Sequence, residues 1–105
     1  MSATQSEAFR KAIIDSRKLT TTPKNEDLLE IYALYKVGTG EDFSAATKPG
    51  VFDFRAKAKY NAWEKAVQDG LTAEQAQERY VAKIEEMKAE YGYDENKEPE
   101  AVGGQ

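Results

Sequence analysis

The chain has 105 residues, 40 % hydrophobic and 32 % charged, with a net charge of −4, no histidine and no cysteine. That is one domain's worth of polar-leaning sequence, without an apolar run near the roughly 20 residues of a membrane span. The two missing residue types exclude disulfides, thiolate nucleophiles, Cys/His zinc sites, Ser-His-Asp triads and histidine proton shuttles.

The first helical segment runs from about Ser6 to Lys18. Phe9, Ala12, Ile13 and Ser16 recur there at helical spacing, and Leu19 follows as an anchor. Thr20-Thr21-Thr22-Pro23 favours an extended link. A second helix opens at Asn25 as N-cap, with Glu26 and Asp27 in the first turn, where negative charge meets the helix dipole. Leu28, Ile31, Tyr32 and Tyr35 share one face, Leu29 and Leu34 widen it, and Gly38 and Gly40 end the helix. Residues 39–50 read as a loop with a Pro49-Gly50 turn. Asp53 caps a third helix that reaches about Gln68, with Ala56, Lys59, Tyr60, Trp63 and Val67 along one side. A lysine in such a stripe either snorkels to water or meets an anion. After Asp69-Gly70, Thr72 and Gln75 fit a capping box. The fourth helix then shows the clearest stripe, Ala76, Tyr80, Ile84, Met87 and Tyr91, and Gly92 stops it. Val51-Phe52-Asp53-Phe54 is the one strand candidate and is too short. The fold class is all-α with four helices.

Charge is unevenly placed. Residues 92–105 carry −3, leaving −1 for residues 1–91, while Lys48 to Lys65 holds a local +3. The acidic end has Pro and Gly and no apolar period, so a domain over 1–92 and a disordered tail over 93–105 are expected. A near-neutral domain with one basic segment suits a small anion and does not suit nucleic acid, whose binders carry a strong positive total. On helix two, Tyr32 and Tyr35 are surface neighbours and Lys36 points the same way as Tyr32; on helix three, Arg55 and Lys59 share a side. Should these groups converge, they frame a pocket for a phosphorylated adenine nucleotide, with rings to stack and cations to neutralise phosphate. The same spacing also serves half-buried core tyrosines and solvated lysines. No Gly-rich phosphate loop occurs, and the carboxylate pairs lie in helix-face or tail contexts that do not suggest acid–base work.

Leu28-Leu29-Glu30-Ile31-Tyr32-Ala33-Leu34-Tyr35-Lys36 resembles the signature segment of acyl-CoA-binding proteins. Thr22-Pro23 upstream and the block from Lys48-Pro49-Gly50 to Asn61-Ala62-Trp63 downstream are similar to that family in order and spacing, and Thr72 to Ala76 with Tyr80 resemble its last helix. The likeness covers about residues 7–92. It implies a four-helix up-down-down-up bundle that binds medium- and long-chain acyl-CoA thioesters without covalent change, as an intracellular carrier and pool former in lipid metabolism. It further implies a head-group site of Arg17, Tyr32, Tyr35, Lys36, Arg55, Lys59 and Tyr80, and an acyl-chain path along Ile13, Leu28, Leu29 and Ala58. No catalytic residue, metal or cofactor is implied; the ligand is acyl-CoA itself. A cytoplasmic monomer with transient contacts to membranes or acyl-CoA-using enzymes, and no nucleic-acid partner, completes the expectation. Val37-Gly38-Thr39 departs from the family pattern after Lys36, and the loop to Pro49 is about one residue longer. Two rival classes stand beside it: a helical module whose tyrosine face docks a partner helix, and an acyl-CoA-using enzyme, against which the missing His and Cys weigh.

Overall fold

A computed structural model describes residues 3–98. Helix α1 spans Glu7–Ser16, α2 Asn25–Gly38, α3 Phe54–Gln68 and α4 Ala73–Tyr91, with a single 3₁₀ turn, η1, at Phe43–Ala45. Among the described residues there is no strand, only one isolated antiparallel bridge between Leu19 and Tyr93.

The helix starts follow from side-chain capping at three of four sites. The Ser6 hydroxyl accepts from the Phe9 N–H (3.0 Å), and the Asp53 carboxylate from the Ala56 N–H (3.2 Å). Thr72 and Gln75 close the full capping box, each side chain taking the other's backbone N–H at 3.1 Å. Helix α2 differs from expectation. Asn25 is its first helical residue, and Lys24, extended after Pro23, is the N-cap without a side-chain bond. The Tyr91 hydroxyl compensates by accepting the Lys24 N–H at 3.2 Å. Gly38 is the last residue of α2, with Thr39 as its C-cap. A Cβ there would stand 3.0 Å from Phe9 Cζ and 3.3 Å from Gln77 Cγ, so glycine serves close packing of α2 on the other helices. The chain turns at Gly40, whose φ of +76° suits glycine.

Helix α2 is the shared element: it packs on α4 and on α3, while α1 packs on α4 and η1 on α3. The fourth-helix stripe is buried throughout, and Phe9, Ile31, Tyr80, Ile84 and Met87 have no exposed surface. Phe9 meets Tyr80 edge-on at 5.1 Å between ring centroids, which locks α1 to α4. The stripe of α3 is weaker: Trp63 is buried, while Val67 is 43 % exposed.

Helices α1 and α2 each meet α4 along a polar seam. Buried Asp15 accepts from Lys88 (2.7 Å), Lys11 (2.9 Å) and the Tyr93 hydroxyl (2.9 Å). Asp27 pairs with Lys83 at 2.9 Å and accepts the Tyr91 hydroxyl, tying α2 to α4. Residues 93–98 are drawn into this region. The Asp94 N–H donates to the Lys18 carbonyl (3.1 Å), Lys97 Nζ to the Leu19 carbonyl (2.6 Å) and Lys18 Nζ to the Glu95 carbonyl (3.0 Å). Residues 93–98 thus find partners on the α1–α2 link; the rest of the expected tail, residues 99–105, lies outside the described residues.

Burial alone would raise the Asp15 carboxyl, but the bonds from Lys88, Lys11 and Tyr93 outweigh it and hold it below its ordinary value. A depressed carboxyl stabilises the fold above its unfolded pKa, about 4, and loses that contribution as the pH falls through the folded value. Asp15→Asn is expected to cost about 2–4 kcal/mol at neutral pH and to flatten the acid limb of stability against pH. Denaturant titrations from neutrality down to acid read both effects, and an unchanged acid limb would contradict the assignment.

Candidate functional site

Helical periodicity divides α2 between two neighbours. Ile31, Leu34 and Val37 are buried in the core, and Tyr32 and Lys36, one turn apart, face a cavity shared with α3. Lys59 projects from α3 into the same cavity. Its Nζ lies 5.5 Å from the centroid of the Tyr32 ring, and Lys36 Nζ lies 5.6 Å from the same centroid. Both are within the range of a cation–π contact. Lys36 Nζ also stands 5.2 Å from the Trp63 ring. Phe43 of η1 packs on Tyr60 (4.8 Å) and edge-on to Trp63 (4.9 Å), which folds the α2–α3 loop over the cavity. The cavity measures about 620 Å³ and is walled by Tyr32, Lys36, residues 40–42, 45–47 and 49, and Ala56, Lys59, Tyr60 and Trp63. That is the size of a small-molecule site.

The two ammonium groups are not equivalent. Lys36 is paired with Glu41 at 2.9 Å. Burial opposes its charge, but the Glu41 hydrogen bond and the neighbouring tyrosines prevail and raise its pKa, so it is an ammonium ion at neutral pH. Lys59 has no carboxylate within 4 Å among the described residues. Asp42, also in the wall, is engaged in capping η1: it accepts from the Ser44 N–H (3.0 Å) and hydroxyl (2.6 Å), which holds its carboxyl below the ordinary value. Two cations over one aromatic ring, with an indole beneath, suit a flat heterocycle carrying phosphate. Among the described residues no group of three or more carboxylates could hold a metal.

The residues singled out from sequence separate into groups. Tyr32, Lys36 and Lys59 meet at the cavity; Arg17, Tyr35, Arg55, Tyr80, Ile13, Leu28 and Ala58 do not line it. The three-residue step from Tyr32 turns Tyr35 toward α1 and α4, with its ring 6.4 Å from Phe9 and 6.5 Å from Tyr80. Tyr80 has no exposed surface and stands behind Tyr35, so in this structure it is a core residue and not part of the cavity wall. Arg55 is exposed to solvent, and Arg17 Nε is buried with no partner among the described residues. Leu29 lines a second cavity of about 400 Å³ with Ala33, Leu34, Ala62, Ala66 and Leu71 among its neighbours. Glu41, Tyr60, Trp63 and Phe43 were not foreseen as site residues. Trp63 lies four residues after Lys59 in a helix, which places it on the same face; Phe43 is a lone aromatic in a polar loop. Nothing local marks Glu41, because its role arises only when the loop turns back on Lys36.

Comparison with known proteins bears on this geometry. A family model described as acyl CoA binding protein matches residues 6–84. The chain is 44 % identical over 85 residues to acyl-CoA-binding protein homolog 1 of Caenorhabditis elegans, covering 81 % of this chain and 95 % of that protein. It is 42 % identical over 86 residues to an acyl-CoA-binding protein homolog of Manduca sexta, covering 82 % and 93 %. In structure it is similar to acyl-CoA-binding protein 2 of Oryza sativa, with a TM-score of 0.68 at 30 % identity, covering 80 % of this chain and 90 % of that one.

Proposed function

The chain belongs to the acyl-CoA-binding protein family, and from that premise we propose that the cavity beside α2 holds the nucleotide head group of an acyl-CoA carried without chemical change. The convergence of Lys36 and Lys59 on the Tyr32 ring is the observation that carries this. The adenine lies against aromatic surface, the ribose 3′-phosphate takes the two ammonium groups, and Trp63 backs the site. Tyr35 and Tyr80 serve the site by fixing α2 against α1 and α4, and Arg17 and Arg55 add positive charge at longer range. The medium- or long-chain acyl tail runs along Leu28, Leu29 and Ala58, with Ile13 packing behind. The cavity at Leu29 has mixed walls, and its apolar part, Ala33, Leu34, Ala62, Ala66 and Leu71, supports that path, while Glu26, Glu30, Lys65, Asp69 and Arg79 line the rest. Each methylene buried there adds roughly 0.8 kcal/mol until the groove is full. The protein acts as a cytoplasmic monomer, its binding domain at residues 1–92 buttressed by the segment that follows, and the absence of histidine and cysteine from the chain supports carriage without catalysis.

Calorimetric titration with a long-chain acyl-CoA, its free fatty acid and CoA alone is expected to show acyl-CoA binding far tighter than either part. Lys59→Ala is expected to cost about 1.5–3 kcal/mol of acyl-CoA affinity, the scale of a charge-assisted hydrogen bond, and Lys36→Ala less, because Lys36 already holds a pair with Glu41. Equal affinity for fatty acid and acyl-CoA, or two silent lysine variants, would refute the site.

A transient bilayer contact belongs to the same reading. Val51, Phe52 and Phe54 are 73 %, 89 % and 73 % exposed in the stretch between Pro49 and Ala56 of the cavity wall, and Lys48, Arg55 and Lys57 flank them in sequence. Apolar tips among cations suit an anionic membrane surface. Co-sedimentation with vesicles of phosphatidylserine and phosphatidylcholine is expected to exceed that with phosphatidylcholine alone, and Val51→Ser with Phe52→Ser to abolish the difference. Unchanged sedimentation of that variant would remove the membrane assignment.

A further inference from the structure

The loop after α2 places a carboxylate where a phosphate is wanted. Gly40 takes a positive φ and turns the chain, and the Glu41 N–H then donates to the Lys36 carbonyl at 3.2 Å. The Glu41 side chain is thereby returned to Lys36: Oε1 lies 2.9 Å from Nζ, and Thr39 Oγ1 lies 3.4 Å from Oε2. Glu41 also lines the cavity. The neighbouring carboxylate, Asp42, is spent on Ser44, and Lys59 has no carboxylate partner among the described residues, so Glu41 alone competes for the cavity's cations.

We propose that Glu41 is an internal stand-in for the ligand phosphate, a specificity residue that lowers acyl-CoA affinity by occupying Lys36 until the ligand displaces it. The proposal rests on the head-group assignment above. Binding exchanges one Lys36 ion pair for another, so the gain at Lys36 is only the difference between the two. Lys59, whose ammonium stands against the Tyr32 ring alone, takes the phosphate with no such exchange. The loop thus sets a ceiling on affinity and shortens the time the cargo is held, which suits a protein that must hand its ligand on.

The test is calorimetric titration of palmitoyl-CoA into the full chain, its Glu41→Gln variant, a Lys36→Met variant and the double variant. Glu41 is 45 % exposed at its side chain, so its amide is accommodated without repacking. Glu41→Gln is expected to bind about three- to tenfold tighter at low salt, with the gain shrinking toward unity at roughly 0.5 M salt as the charges are screened. In the Lys36→Met background the same change is expected to give less than half that gain. A Glu41→Gln variant that binds equally or more weakly would overturn the proposal, and so would a gain that persists in full without Lys36. Failure of the unsubstituted chain to bind palmitoyl-CoA would instead refute the head-group assignment, and the proposal with it.

Discussion

The site depends on the way one helix is shared. Helix α2 buries Ile31, Leu34 and Val37 in the core and presents Tyr32 and Lys36 to the cavity it shares with α3. A helical residue cannot be turned without turning its neighbours, so the packing of Ile31 in the core fixes where Tyr32 stands. Lys59 then reaches the same ring from α3. The two ammonium groups near one phenol ring are in this sense a consequence of the core, and the capping box of α4 and the Asp27–Lys83 pair contribute to the site by holding α2 in place.

That coupling explains what was readable in the amino-acid order. Ala76, Tyr80, Ile84, Met87 and Tyr91 repeat at helical spacing on a helix buried along one side, against α1 and α2, and a one-sided stripe is legible from spacing alone. Asp53, Thr72 and Gln75 were legible as caps because capping is local. Tyr32 and Lys36 were legible as a pair for the same reason. Tyr35, by its spacing from Tyr32, and Tyr80, by family likeness, were expected at the head-group site, and here both rings lie against Phe9, which only the packing of α1 and α2 on α4 decides. The burial of Asp15 carries no local signal, because its partners Lys88 and Tyr93 come from the far end of the chain. The segment after Gly92 looked free because its partners are backbone carbonyls at residues 18 and 19, which no side-chain pattern reports.

The missing histidine and cysteine acquire a physical sense beside this geometry. A carrier of thioesters gains from having no thiol or imidazole that could attack its cargo. What remains is a set of groups that bind without reacting: ammonium ions, phenols, an indole and apolar side chains. In the proposed arrangement, specificity comes from the placement of charge at one end of the ligand, and affinity from apolar burial at the other. The loop between α2 and α3 lies across the charged end, and Glu41 within it adjusts how much of that charge a ligand can use.

Amide chemical-shift mapping of the full chain with palmitoyl-CoA probes this arrangement at every residue at once. The largest shifts should fall at Tyr32 and Lys36, in residues 40–49, and at Lys59 and Trp63, with smaller changes along Leu28, Leu29 and Ala58. Shifts centred on the α1–α4 seam around Asp15 and Lys88, with Tyr32 and Lys59 unmoved, would contradict it.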